Sequence, residues 1–341
     1  MKNYLKILHL DDHSLTPYHQ QLSDGIMLAA ERGQIQINDI LPSINDLSIA
    51  LDVSRNIVAK AYSTLKERGV VGSVHGKGHY IKQIETGRSL RVLMLFNKLS
   101  SQKKIIYDAF ANALGENARI TFFIYNNNLT LFKKLLFDKI DQFDKIVIAP
   151  HFICNDELPA DVLNRIPEEK LILIGGFLEG VSRKFSAVYE DFERDIFDAL
   201  SGMISYIRNY QAITIVFPKD SYYSTGILLG FLNFCKKNEC PHRVTPSARN
   251  EKINRGTLYI TLTDDDLLGL IARAKAEELT LMEDFGLISY NETPFKQFIL
   301  NGITTISTDF HFIGEKAAEL VKSGVPQWIK APFYTIIRPS I

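Results

Sequence analysis

Cysteine is scarce: Cys154, Cys235 and Cys240 make an odd set with no CxxC spacing. That excludes a disulfide framework and a thiolate zinc site, and fits reduced packing residues in a cytosol. Net charge is absent too, because 39 Lys and Arg balance 39 Asp and Glu over 341 residues. Nucleic-acid binding must then come from a local basic patch. No stretch reaches the about 18 apolar residues of a membrane span, and Asp11 and Asp12 stand where a signal peptide needs an apolar run. The expectation is a cytoplasmic protein with no membrane partner. Catalytic signatures are missing as well, since no GxxxxGK(S/T), GxSxG or HExxH occurs and no GxGxxG follows a strand. Neither an enzyme, a cofactor nor a metal site is expected.

What is present is an ordinary globular composition, 46% hydrophobic and 23% charged. At about 150 residues per domain the length predicts two domains. Residues 1–82 read as helices followed by a hairpin, and residues 90–341 as strands alternating with helices. The polar stretch QIETGRS, residues 83–89, reads as the linker. Beyond it come the apolar runs 91–96, 120–125, 145–150, 171–176, 212–217, 257–262 and 286–290, mostly parted by helix-length segments. Such runs predict parallel sheet buried on both faces, and seven of them suit two doubly wound lobes in an α/β domain. Ligands of such folds bind at the carboxyl ends of the strands.

In the N-terminal part, Ser43 and Asp46 make a capping-box signal ahead of Ile44, Leu47, Ala50 and Leu51 at helical spacing. After Asp52-Val53, Ser54 caps a second helix with Val58, Ala61, Tyr62 and Leu65 facing inward. Left outside are Arg55, Asn56, Ala59, Lys60 and Ser63, a basic, hydrogen-bonding face suited to a major groove. A hairpin of 70–74 and 79–82 follows, tipped by His75, Gly76, Lys77 and Gly78. Between Ser54 and Lys82 six basic residues face Glu67 alone, a patch of +5 inside a neutral chain. His75 and His79 lack a third ligand for a metal, so phosphate or water is the expected contact.

The run Pro17-Tyr18, Gln20-Gln21-Leu22, Gly33, Leu41-Pro42-Ser43, Leu47, Val53-Ser54-Arg55-Asn56, Val58, Ala61-Tyr62, Leu65, Gly69 and Gly76-x-Gly78 resembles the winged-helix DNA-binding domain of GntR-type transcription regulators. The resemblance implies a winged helix-turn-helix over about 65 residues. It assigns phosphate and major-groove contacts to Ser43, Arg55, Asn56 and Lys60, and a minor-groove contact to the wing-tip Gly. Ser54, His75, Gly76, Lys77 and Gly78 complete the DNA-contact set. Asn45, Ile57 and Ala59 depart from the family, which has Arg, Thr and Arg at these places.

Residues 90–338 resemble the effector domain of LacI-type repressors, itself similar to periplasmic sugar-binding proteins. The motifs are 186–200 (SAVYEDFERDIFDAL), Gly230-Phe231, Asp264 with Gly269, 304–310 with Gly314, and the closing IIRPS. The resemblance implies a type I periplasmic-binding-protein-like architecture and gives Asp264 the role of a sugar-hydroxyl acceptor. Asn97, Phe152 and Asn291 follow strands and are expected in the same cleft. Thr225 and Thr263 stand where the family carries a sugar-gripping Arg and an Asn, and Arg249 is the candidate replacement guanidinium. Asp191, Ser221 and Asp309 complete the ligand set, with hinge or dimer contacts as the alternative for the two aspartates. Asp265 and Asp266 are expected to cap a helix.

The resulting expectation is a homodimeric regulator, a repressor of carbohydrate use, that binds double-stranded operator DNA under control of a carbohydrate effector. Free sugar, deoxy sugar and sugar phosphate stay open as the effector. A sugar-binding protein that never meets DNA and a sensor of amino acids or nucleosides are the alternatives, with an enzyme behind both.

Overall fold

The computed structural model describes residues 7–8, 10–12, 14, 16–31, 33–74, 78–83, 90–116, 118–152, 159–176, 180–181, 185–218, 223–249, 252–323 and 325–341. Its first elements are the helices α1 (Tyr18–Glu31), α2 (Ile44–Ala50) and α3 (Arg55–Glu67), then the antiparallel strands β1 (Val71–Val74) and β2 (Gly78–Ile81). The caps explain the helix starts. Ser43 accepts from the Asp46 amide at 3.1 Å and donates to its carboxylate at 2.7 Å, which caps α2. Ser54 accepts from the Ile57 amide at 3.4 Å. Gly69, at φ +75°, ends α3 in a left-handed turn that any side chain would strain. Leu22, Ile26, Leu47, Val58, Tyr62, Leu65 and Ile81 form a core belonging to this module, and each such buried side chain contributes about 1.5–3 kcal/mol.

The chain continues through β3 (Leu90–Phe96), α4 (Ser101–Leu114), β4 (Ala118–Ile124), α5 (Leu129–Phe137), β5 (Lys145–Ile148), α6 (Pro159–Leu163), β6 (Leu171–Gly175) and β7 (Ser186–Tyr189). Then come α7 (Phe192–Gly202), α8 (Ile204–Ile207), β8 (Ala212–Val216), α9 (Thr225–Lys237), β9 (His242–Thr245), β10 (Thr257–Thr261), α10 (Asp264–Ala276) and β11 (Phe285–Tyr290). The last are β12 (Thr304–Thr308), α11 (Phe310–Ser323), β13 (Trp328–Lys330) and β14 (Phe333–Ile336). Two six-stranded sheets result, with strand orders β13-β7-β6-β5-β3-β4 and β14-β12-β11-β10-β8-β9. β14 joins its sheet antiparallel, and the other registers of that sheet are parallel. This is the mixed α/β architecture that the apolar runs predict.

In the two sheets, strands β7, β9, β12, β13 and β14 are not among those runs. β9, with three of its four residues exposed, is an edge strand without an apolar signature, and β13 spans only three residues. Contacts group the chain into two compact units, 1–98 with 114–147 and 99–113 with 148–341. The expected linker falls inside the first grouping, and of its residues only Gln83 lies within the described part. In the second unit α7 and α9 cross so closely that a Cβ on Gly230 would meet the Glu193 carbonyl oxygen at 2.1 Å. That contact explains the Gly230-Phe231 motif by packing alone.

Candidate nucleic-acid interface and ligand site

α3 divides as its periodicity predicts: Val58, Ala61, Tyr62 and Leu65 are buried, while Arg55, Asn56, Lys60 and Ser63 are exposed and Ala59 is half-buried. Ser54 caps the same end, so Arg55 and Asn56 flank a helix N-terminus, where amides and the helix dipole favour an anion such as phosphate, and Lys60 and Ser63 lie further along the exposed face. The Tyr62 hydroxyl donates to the Pro42 carbonyl at 2.8 Å and holds α3 against the entry to α2. The wing is tied down too. Residues 38–41 bond to β2 through Asn38 N to Ile81 O at 2.8 Å and Leu41 N to His79 O at 2.8 Å. His79 lies 4.8 Å from the Tyr62 ring, and burial, with Lys66 assisting, lowers its pKa. Packed on Tyr62 in this way, His79 is half-buried at the start of the second wing strand. His75, Gly76 and Lys77 lie outside the described residues; Gly78 begins β2 at φ +91°.

In the second unit the carboxyl ends of the strands carry a polar row. Register pairs Val216 with Thr261, Thr261 with Ser289 and Ser289 with Thr305, so these side chains share one face. Thr261, Ser289 and Thr305 are fully buried. Five buried polar atoms here have no hydrogen-bond partner among the described residues: Thr261 Oγ1, Ser289 Oγ, Tyr290 OH, Asn291 Oδ1 and Thr293 Oγ1. Each costs about 1–3 kcal/mol when left unpaired.

The charges nearby are paired with one another. Lys296, 1% exposed, donates to the Asn291 carbonyl at 2.6 Å and the Tyr290 carbonyl at 3.3 Å, and lies 3.0 Å from Asp264 Oδ1. Burial lowers its pKa against the opposing pull of Asp264. Arg338 grips Glu292 with both terminal nitrogens at 2.8 and 3.1 Å, and Thr305 donates to the same carboxylate. Lys330 pairs with buried Asp195 at 2.8 Å. Tyr223 donates to the Leu262 carbonyl, and burial with Asp264 and Asp266 beside it pushes its phenol up to about 12. Burial, aided by Glu190 and Asp195, raises the Tyr290 phenol far above its ordinary value.

Thr308 donates to Glu190 at 2.6 Å. Burial of the Glu190 carboxyl raises its pKa from 4.5, opposed by that hydrogen bond and by Lys103. The folded chain thus holds this proton more tightly than the unfolded chain does. Its contribution to stability is complete below pH 4.5 and is lost as pH rises through the raised value. Asp195, raised by burial, acts in the same direction. Glu190→Gln is expected to flatten the fall of the unfolding midpoint as pH rises above 4.5; equal slopes for variant and parent would refute this assignment.

The sequence-derived ligand residues are placed as follows. Asp264 opens α10, and Lys296 joins it to Asn291, which sits at φ +65° just after β11. Asp191 caps α7 and lies 3.9 Å from Lys330, and Asp309 accepts from the Phe312 amide at 2.9 Å at the start of α11. Both aspartates therefore hold helix starts at the ends of β7 and β12. Thr263, not Asp265 or Asp266, is the cap residue of α10: Asp265 is exposed, and the Asp266 carboxylate in the first turn accepts from the Thr263 hydroxyl at 2.6 Å and from the distant Ala248 amide at 2.9 Å. Thr225 is exposed at the start of α9, where Ser224 is the cap. Arg249 is exposed, and its carbonyl accepts from Arg273 at 2.6 Å. Asn97 is buried and donates to Asn127 at 2.9 Å in the first unit. Phe152 follows β5, and Ser221 lies outside the described residues. Glu190, Tyr290, Thr308 and Lys296 were not foreseen. For Glu190, Tyr290 and Thr308 the signal was a polar residue at the carboxyl end of a strand, as in GLISY, whereas Lys296 has no such signal.

Among the described residues no group of three or more His, Cys, Asp or Glu forms a metal-binding cluster, and no helix is long and apolar enough to cross a membrane. Residues 21–81 match the family of bacterial regulatory proteins of the gntR type, and residues 206–339 match the periplasmic binding protein-like domain. The HTH-type transcriptional repressor YtrA of Bacillus subtilis is 28% identical over 104 residues, 30% of this chain and 78% of that protein. The mannosyl-D-glycerate transport/metabolism system repressor MngR of Escherichia coli is 28% identical over 89 residues, 26% of this chain and 37% of that protein. Among solved structures, a LacI family transcriptional regulator from Lactobacillus casei with bound sucrose is 13% identical at a TM-score of 0.59, covering 74% of this chain and 99% of its own. The trehalose repressor from Escherichia coli is 17% identical at 0.59, covering 73% and 100%. These likenesses concern the fold.

Proposed function

We propose that this chain is a cytoplasmic transcriptional repressor whose operator affinity is set by a small carbohydrate held at the carboxyl ends of β10, β11 and β12. The two matches support the coarse reading, a DNA-binding regulator with a ligand-binding domain. The repressor assignment is supported by YtrA and MngR, and the carbohydrate by the sucrose complex and the trehalose repressor among the neighbours. The observation that carries the ligand site is the set of five unpaired buried polar atoms, all hydroxyl or amide oxygens. Such groups are rare in native proteins and cluster where an outside partner completes them. Hydroxyls and amides beside the rings of Tyr223, Tyr290 and Phe333 match the polar edge and apolar face of a saccharide.

Ligand control follows from population shift. A saccharide that binds one arrangement of the domain better shifts the equilibrium by its differential affinity. A homodimer presents two copies of α3 to half-sites about one helical turn apart, so a change within the dimer alters operator affinity. Catalysis has no place in this reading; the relatives are transcriptional regulators.

Thermal unfolding against a panel of mono- and disaccharides and their phosphates tests it. A ligand at a hundredfold excess over Kd stabilises the native state by about 2.7 kcal/mol. A selective shift with one saccharide is expected. Shifts confined to amino acids or nucleosides, with DNA binding intact, would replace the carbohydrate by that ligand.

A further inference from the structure

α1 has two working faces. Leu22, Ile26, Met27 and Ala30 enter the module's own core. Gln21, Asp24, Gly25 and Leu28, again at helical spacing, line a crevice of about 600 Å³ whose opposite wall includes Arg119, Thr121 and Phe123 of β4. β4 is the end strand of its sheet, and these three alternate residues share one of its faces. Ion pairs span the crevice. Asp24 lies 3.8 Å from the guanidinium of Arg119, which is only 9% exposed. Asp11 pairs with Lys139, whose ammonium sits 4.7 Å from the Phe123 ring centroid. The segment bearing Asp11 is itself fastened to α1, because the Gln21 side chain accepts from the Asp11 amide at 2.8 Å and donates to the Thr16 carbonyl at 2.7 Å. On the β4 side, Arg91 and Asp144 form a two-point pair at 3.0 and 3.2 Å that braces the wall.

We propose that this surface is a docking site: the outer face of β4, with Lys139, holds the DNA-binding module through Asp11 and Asp24. Two acidic groups on the module meet two basic groups on the sheet domain, so the partner surface is complementary in charge and the hold weakens with salt. The dock holds the module through side-chain pairs with β4 and Lys139. It supplies a rigid route by which the ligand-binding domain sets the position of α3, a consequence that rests on the function proposed above.

The test uses the full chain and needs neither DNA nor ligand for its first readout. Asp11→Lys combined with Asp24→Lys is expected to enlarge the radius of gyration in solution scattering and to speed amide exchange in β4 about tenfold, as a local opening would. Adding Lys139→Asp and Arg119→Asp reverses both signs of the contact and should restore compactness. Raising salt from about 0.05 to 0.5 M should expand the parent and not the opened variant, since the Debye length shrinks to about 4 Å and weakens the part-exposed Asp11–Lys139 pair. Unchanged scattering and exchange in the double variant would overturn the dock. Because Arg119 is buried, the rescue is repeated with Asp11→Lys and Lys139→Asp alone, where the substituted groups are about one quarter exposed; compactness that neither rescue restores likewise overturns it. The regulatory part is read separately: the opened variant should bind operator with an affinity that ligand no longer changes. Retention of the full ligand effect in a demonstrably opened variant would overturn that part alone.

Discussion

Asp264→Ala is expected to destabilise the ligand-binding domain by about 2 kcal/mol, under the about 3–5 kcal/mol typical of breaking a fully buried pair. The discount follows from exposure: Lys296 is 1% exposed but Asp264 is 44% exposed. Without the carboxylate, the Lys296 ammonium keeps the carbonyls of Tyr290 and Asn291 and loses a charged partner at hydrogen-bond distance. A lost ligand response in this variant is therefore no proof that Asp264 touches ligand. Combining it with Lys296→Met separates the two roles. The double variant should recover most of the lost stability, because apolar replacement of both partners removes the buried charge. If it also regains the ligand response, Asp264 acts by holding Lys296; if stability returns without the response, Asp264 meets the ligand. Urea unfolding of parent, singles and double gives the coupling energy, and strict additivity would contradict the pairing.

The second large effect belongs to DNA. Arg55→Ala should lose about 1–3 kcal/mol of operator affinity, roughly 5- to 150-fold, and most of its discrimination between operator and random duplex. Arg55 is exposed at the start of α3, so unfolding should not change. Lys60→Ala should instead weaken both duplexes alike and reduce the slope of log K against log salt by about 1, the signature of a phosphate contact. Binding titrations over a salt series check both. Equal losses on both duplexes for Arg55→Ala would move base reading elsewhere on the module.

Legibility differed between the two modules for a physical reason. Ser43, Asp46, Ser54 and the inward residues of α3 act within one helical turn or along one stripe, so local periodicity predicted their places. At the sheet ends the decisive contacts are distant in sequence: Lys296 with Asp264, Glu190 with Thr308, and Arg338 with Glu292. Spacing does not foretell such pairs. Asp191 was selected where its neighbour Glu190 makes the buried contact, and a guanidinium was sought in Arg249, which the fold leaves exposed. Asp264 and Asn291 were placed at the correct ends of their strands, but the lysine that joins them carries no mark in the sequence.

One titration tests the central claim most directly: fluorescence anisotropy of the full chain with the duplex upstream of its own gene and with a random duplex, with and without the saccharide that raises its unfolding midpoint. The account predicts preferential binding of the upstream duplex and a saccharide-dependent change in Kd for that duplex. Equal weak affinity for both duplexes, unmoved by the saccharide, would contradict it.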